Sequence, residues 1–202
     1  MGYFKFYHGT MASGKTTMLL QTHYNLTLSF PGKVMLINKF DRSGDNVCTS
    51  RLGNSLEAKS VHNGEAIVEM VSEHELARSE KLKYLLVDEV QFFLPRQIAE
   101  MAYLTDYKDI NVIAYGLLTN YKGKLFKGSQ RAIELADEVI QISNEMRCWC
   151  GAKATHNSVT SPITDKSIIE SELDRHFMLE YEVVCRKHMY EKIKSNVDLT
   201  DI

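Results

Sequence analysis

Apolar and polar residues alternate from Tyr3 to His8, the period of a strand with one buried face, and the run stops at Gly9. Helical spacing then runs from Lys15 to about Phe30, where Pro31 and Gly32 end it. Val34 to Ile37 is a short apolar run, followed by the polar, glycine-containing segment Asp41 to Ser50. Gly64 to about Ala77 returns to helical spacing, with Ile67, Met70, Val71 and either His74 or Glu75 marking its faces. Tyr84 to Val87 is a second short apolar run, ending in Asp88-Glu89. Pro95 to Tyr107 reads as a helix with proline in its first turn, Val112 to Tyr115 as a strand, Ser129 to Ala136 as a helix and Val139 to Ile142 as a strand.

Short apolar runs separated by helices are what strands covered on both faces look like. Tyr3 to Ile142 therefore predicts an open parallel α/β sheet with helices on both faces, and the pattern G-x-x-x-x-G-K-[ST] at Gly9 to Thr16, between its first strand and first helix, makes it of P-loop NTPase type. From Asn144 the texture changes to cysteine-rich turns, strand-like stretches at Ser167 to Leu173 and Phe177 to Val184, and a polar tail rich in Lys and Asp. The expected organisation is a nucleotide-binding domain over 1–143, a small zinc-binding lobe over 144–192 and a polar tail over 193–202.

Composition narrows the class. A chain of 202 residues, 44% apolar and 25% charged, fits a soluble globular protein and excludes disordered or fibrous ones. Lys plus Arg number 24 against 26 Asp plus Glu, so no global basic field exists to hold nucleic acid, and no such partner is expected. No apolar run approaches the ~18 residues a membrane helix requires. The opening residues also lack the apolar h-region of a signal peptide. A cytoplasmic protein without a membrane partner is expected.

Gly9-Thr10-Met11-Ala12-Ser13-Gly14-Lys15-Thr16 fits the phosphate-loop pattern G-x-x-x-x-G-K-[ST], after a predicted strand and at the opening of a predicted helix. Glycines let the backbone curl so that its N–H groups face phosphate oxygens, and the helix adds its positive end. Lys15 is expected on the terminal phosphates and the Thr16 hydroxyl on Mg²⁺. Asp88 and Glu89 follow a buried strand, an arrangement that delivers acids to the same sheet edge. Asp88 would reach Mg²⁺, and Glu89 would accept a proton from, or orient, the nucleophile.

Lys39, Arg42 and Arg51 could neutralise phosphate charge or simply lie in a solvated loop. Phe92, Phe93, Tyr121, Phe126 and Tyr181 could stack on a base, although core packing is the usual fate of an aromatic. Cys148-Trp149-Cys150 and Cys185-Arg186-Lys187-His188 supply three thiolates and an imidazole, the donor set of a closed structural Zn²⁺ site. Cys48 stands apart and reads as a reduced loop thiol.

The order of these motifs resembles the type II thymidine kinases, close to their bacterial and phage members. It comprises the phosphate loop, Asp88-Glu89-Val90-Gln91-Phe92-Phe93, the segment Gly116 to Ser129 and the closing Cys185 to His188. The resemblance implies transfer of the ATP γ-phosphate to the 5'-hydroxyl of thymidine, with Glu89 as catalytic base and Asp88 at the Mg²⁺ and phosphate site. It places Gln91 and Arg42 with the phosphate-binding residues and Met11, Phe92, Leu117, Tyr121, Phe126 and Tyr181 around thymidine. It further implies a homotetramer with thymidine triphosphate as feedback inhibitor.

The chain departs from the family pattern in three places. The loop Arg175 to Tyr181 has no glycine pair, Asp41 and Arg42 are adjacent where the family reads D-x-R, and the stretch between Cys150 and Cys185 is long, with an unfamiliar segment from Asn157 to Lys166; the first zinc knuckle is also Cys-x-Cys, not the usual Cys-x-x-Cys. A rival reading from another class is a P-loop ATPase switch whose zinc ribbon binds a macromolecule.

Overall fold

A computed structural model describes residues 1–39, 46–143, 145–160 and 181–196, the last five by their backbone alone. Asp41, Arg42, the predicted strand Ser167 to Leu173, the loop Arg175 to Glu180 and the tail beyond position 196 lie outside the described residues. The chain forms two compact units, Met1–Leu118 with Phe126–Ile142, and Thr119–Leu125 with Ser143–Ile202.

The first unit is built on strands β1 (Phe4–His8), β2 (Val34–Asn38), β5 (Lys59–Ser60), β6 (Tyr84–Val87), β7 (Asn111–Gly116) and β8 (Glu138–Gln141). They form one sheet in the order β5-β2-β6-β7-β1-β8, and every pairing is parallel. Helices α1 (Lys15–Ser29), α2 (Ile67–Arg78), α3 (Pro95–Lys108) and α4 (Lys127–Leu135) connect them.

The period-two pattern explains the layering. Phe4, Phe6, Met35, Ile37, Leu85, Val87, Val112 and Ala114 point to one face, where Ile67, Met70 and Val71 of α2, Ile98, Met101 and Leu104 of α3, and Ala132 of α4 cover them. Tyr3, Tyr7, Leu36, Leu86, Ile113 and Tyr115 point to the other face, against Leu19 and Leu20 of α1. Removing each such side chain from water contributes about 1.5–3 kcal/mol. The expected parallel sheet with helices on both faces is the one observed.

Three elements escaped the pattern. In a hairpin with β4 (Ser55–Glu57), β3 (Val47–Thr49) lies in the segment read only as polar, and β4 and the edge strand β5 lie in a stretch to which no element was assigned. Strands two or three residues long with polar ends are too short to show a period. Two helix ends also move. Helix α2 begins at Ile67, after a turn in which the Glu65 carboxylate accepts the His62 N–H at 2.7 Å, and α4 begins at Lys127.

The second unit pairs β9 (His156–Val159) with β10 (Tyr181–Val184) in antiparallel register. A turn carries Cys148 and Cys150, closed by Cys148 N–H to Ala152 O and Gly151 N–H to Cys148 O, both 2.8 Å. Helix α5 (Arg186–Asn196) runs past position 192, the expected end of the lobe, into the expected polar tail. Among the described residues the apolar cluster of this unit comprises Cys148, Val184 and Met189, with Cys185 packed beside it. No helix among the described residues is long and apolar enough to cross a membrane.

Candidate active site and cysteine cluster

In a parallel sheet all strand C-termini meet one edge, and here that edge gathers the loop after β1 and the acids after β6. Gly9 to Gly14 curls through left-handed backbone at Ala12 (φ 57°) and Gly14 (φ 84°) before α1 begins. Lys15 is only 8% exposed, and its Nζ donates to Thr10 O at 2.8 Å and to Gly9 O at 3.4 Å. Burial pulls the Lys15 ammonium below its ordinary range, while Glu89 and Asp88 oppose the shift. The Ser13 hydroxyl is buried in the same loop with no hydrogen-bond partner. An orphaned buried donor in a cradle of backbone amides fits an anionic ligand.

The Thr16 hydroxyl donates to Asp88 Oδ2 at 3.1 Å, which joins two groups far apart in sequence that the motifs assigned to one cation. The same oxygen accepts the buried Cys48 thiol at 3.2 Å, and Asp88 Oδ1 accepts the Glu89 N–H at 3.0 Å. Burial, and then the neighbouring Glu89 carboxylate, push the Asp88 carboxyl up to about 7, against those three bonds. A hydroxyl and a carboxylate oxygen are the hard donors that Mg²⁺ takes beside phosphate. Cys48 is thus a core residue touching the acidic pair, not a loop thiol. Nothing local in the sequence signals that contact.

Glu89 itself has left-handed backbone (φ 53°, ψ 40°), a conformation costing a non-glycine residue about 1 kcal/mol or more. It is held because a 3-10 turn, Val90–Phe92, follows at once, with Phe92 N–H on Glu89 O at 3.0 Å. Gln91 within that turn donates to Glu89 Oε2 at 2.5 Å and accepts the Leu117 N–H at 2.9 Å. The Leu117 carbonyl in turn accepts the Ser129 hydroxyl at 2.5 Å. Gly128 makes this packing possible, since a Cβ there would lie 2.6 to 2.8 Å from the carbonyl oxygens of Val90, Phe93 and Gln91. The Gly128-Ser129 pair of the motif is therefore a packing device beneath the acidic loop.

Of the other singled-out residues, Met11 and Leu117 are buried, and Phe92 and Phe126 meet edge-on with centroids 5.9 Å apart. Tyr121 and the half-buried Tyr181 belong to the second unit. Two candidates are corrected. Lys39 is fully buried, with its Nζ on Gln97 Oε1 at 3.0 Å and 5.3 Å above the Phe93 ring, so its charge serves the interior. Phe93 lies in the main core and cannot stack on a base. Arg51 is exposed.

Cys148, Cys150, Cys185 and His188 converge with donor atoms all within 4.8 Å of one another. His188 Nδ1 lies 3.2 Å from the Cys148 sulfur and 3.4 Å from that of Cys185, and the Cys150 and Cys185 sulfurs are 3.9 Å apart. Zinc–sulfur bonds of ~2.3 Å at tetrahedral angles require sulfurs about 3.8 Å apart, so the set can hold zinc. Burial raises the Cys148 thiol, but the backbone amides of Cys150 and Cys185 and the His188 ring outweigh it and bring it down to about 6. Such a thiol is ready to lose its proton to a metal. The Glu191 carboxylate lies 3.5 Å from His188 Nε2, and Trp149 stacks on the His188 ring at 3.8 Å. These contacts orient the ring with Nδ1 toward the sulfurs. The tight Cys-x-Cys knuckle is accommodated by the turn at Gly151.

A curled loop opening a helix, with its lysine and threonine beside a strand-end acidic pair, defines a P-loop α/β protein for phosphoryl chemistry. Comparison with known proteins sharpens that class. The thymidine kinase family model matches residues 2–189. A thymidine kinase of Streptomyces coelicolor is 36% identical over 196 residues, covering 94% of this chain and 89% of the relative. One of Cutibacterium acnes is 33% identical over 199 residues, covering 95% and 90%. One of Shewanella oneidensis is 33% identical over 192 residues, covering 93% and 96%. Among solved structures, the Pif1 helicase of Candida albicans aligns with TM-score 0.46 at 15% identity, over 71% of this chain and 36% of that one, too distant to bear on fold or function. The chain belongs to the thymidine kinase family. It is a kinase, and the reading of the chain as an ATPase switch falls away.

Proposed function

We propose that the chain transfers the γ-phosphoryl group of ATP, bound with Mg²⁺, to the 5'-hydroxyl of thymidine. The observation that carries this is the Thr16–Asp88 contact at 3.1 Å with Glu89 next in the chain, which sets cation donors and a base side by side. Mg²⁺, when bound, neutralises charge on the β- and γ-phosphates. Thr16 and Asp88 are the residues that would hold it. The amides of Gly9 to Gly14 cradle the phosphates, and Lys15 exchanges its bonds to the Thr10 and Gly9 carbonyls for phosphate oxygens. Glu89 accepts the proton of the 5'-hydroxyl as that oxygen bonds to the γ-phosphorus and the bond to the ADP oxygen breaks.

Met11, Phe92, Leu117 and Phe126 of the first unit line the thymine in this reading, and Tyr121, Tyr181 and Arg42 keep the roles the resemblance gives them. The Cys148, Cys150, Cys185 and His188 site holds a structural zinc ion with no position left for substrate. The enzyme is a cytoplasmic homotetramer inhibited by thymidine triphosphate, with 1–143 as the nucleotide-binding domain and 144–192 as the zinc lobe. The decisive experiment supplies labelled γ-phosphate as ATP, with magnesium, to a panel of nucleosides. Label in thymidine 5'-monophosphate is the expected result. Release only as inorganic phosphate, or label in no nucleoside, would overturn the proposal.

A further inference from the structure

We propose that Gln91 is a positioning residue that ties the carboxylate of Glu89 to the backbone of Leu117, rather than a phosphate-binding residue. The inference rests on the reading of Glu89 as the base. Gln91 is 3% exposed, and a primary amide is buried only where its polar atoms find partners. Here both ends are engaged, Nε2 on Glu89 Oε2 at 2.5 Å and Oε1 on the Leu117 N–H at 2.9 Å. The chemistry fixes which end is which. A backbone N–H only donates and a carboxylate only accepts, so the amide fits between them in one orientation.

The surroundings are shaped to that amide. Gly116 leaves it room, because a Cβ there would lie 2.4 Å from Gln91 Oε1. Leu117 is held from its other side by the Ser129 hydroxyl. Glu89 is itself the strained, left-handed residue and Gln91 lies in the 3-10 turn that follows at once, so the backbone keeps the two side chains together and the amide grips the carboxylate. With Oε2 occupied, Oε1 is the oxygen left for the acceptor hydroxyl. The residue that holds Leu117, which the proposed function sets beside thymine, thus also aims the base. A bond of this kind contributes to rate by orientation, since a misaimed base still ionises but no longer lies in line with the hydroxyl.

The test is a double-mutant cycle on kcat with ATP and thymidine. Gln91→Met keeps the length and removes both bonds, and Gln91→Asn keeps an amide too short to span both partners. Each should lower kcat by about 10- to 100-fold, as expected for losing one bond to a charged catalytic group, with KM for ATP changed less than about 2-fold. In a Glu89→Gln background the same substitutions should change the residual kcat by less than about 2-fold, because Gln91 acts through the group already removed. Losses that multiply, a full kcat in either Gln91 variant, or a selective rise in KM for ATP would overturn the inference. So would failure of both variants to fold, which would make Gln91 scaffold. A fully active Glu89→Gln enzyme would instead remove the base assignment itself, an outcome distinct from all of these.

Discussion

The two units are held together by different physics. The first buries two apolar layers against a parallel sheet, with Phe6, Ile37, Leu85, Leu86 and Val112 wholly removed from water. In the second, the described apolar cluster is three residues, and the strongest convergence is of three sulfurs and a ring nitrogen. One unit is stabilised by buried area, and the other gathers a donor set that can hold a metal ion. The phosphate loop and the acidic pair sit on the unit with the large apolar core. With zinc in that donor set, the smaller unit should depend on the ion for its order.

Removing the ion's donors should have the largest effect, since binding of a structural zinc contributes on the order of 10–16 kcal/mol in small domains. In Cys185→Ala, zinc should be absent from the purified protein, and the amides of β9, β10 and α5 should lose protection from hydrogen exchange. Those of β6 and β7 should keep theirs. Equal protection in both halves would erase the contrast.

Leu85→Ala is the converse experiment on the first unit. Leu85 is wholly buried on a central strand, so the change should destabilise by about 2–5 kcal/mol in denaturant unfolding while zinc content is unchanged. A loss of zinc in this variant would mean that the two units are not stabilised separately. Gly128→Ala should cost about 1–3 kcal/mol, because its methyl meets three carbonyl oxygens with nowhere to move. The 3-10 turn it displaces carries Gln91, so kcat should fall with the midpoint. Full activity would show that the turn tolerates the shift.

The smallest effect concerns Lys39, whose burial pulls its ammonium down to about 8 from 10.5. Between those values the unfolded chain binds a proton that the folded one has lost, so this group's contribution to stability rises as pH increases from about 8 to 10.5. The thermal midpoint of the parent relative to Lys39→Met should climb over that window by several °C. A flat difference would place the lysine's charge in water.

Where chemistry is carried by consecutive residues, the chain alone announced it. Gly9 to Thr16, the Asp88-Glu89 pair after a four-residue strand, and each of the pairs Cys148/Cys150 and Cys185/His188 are local patterns of residue type. The strands β2, β6 and β7 were legible because burial on both faces leaves a run of apolar residues, and β1 because its residues alternate between a buried and a less buried face. The hairpin β3–β4 and the edge strand β5 were not, since two or three residues show no period and their order comes from the partners they meet.

Tertiary structure decided which side chains surround the acids. Cys48 reaches Asp88 across 40 positions, Gln91 reaches Leu117 across 26, and Lys39 turns inward to Gln97 across 58. Each of these contacts is set by which strand lies beside which, not by neighbouring residue types. Sequence thus determined what groups the site contains, because bonding capacity belongs to the residue. How those groups are aimed was left to the sheet order, because direction in space belongs to the packed backbone.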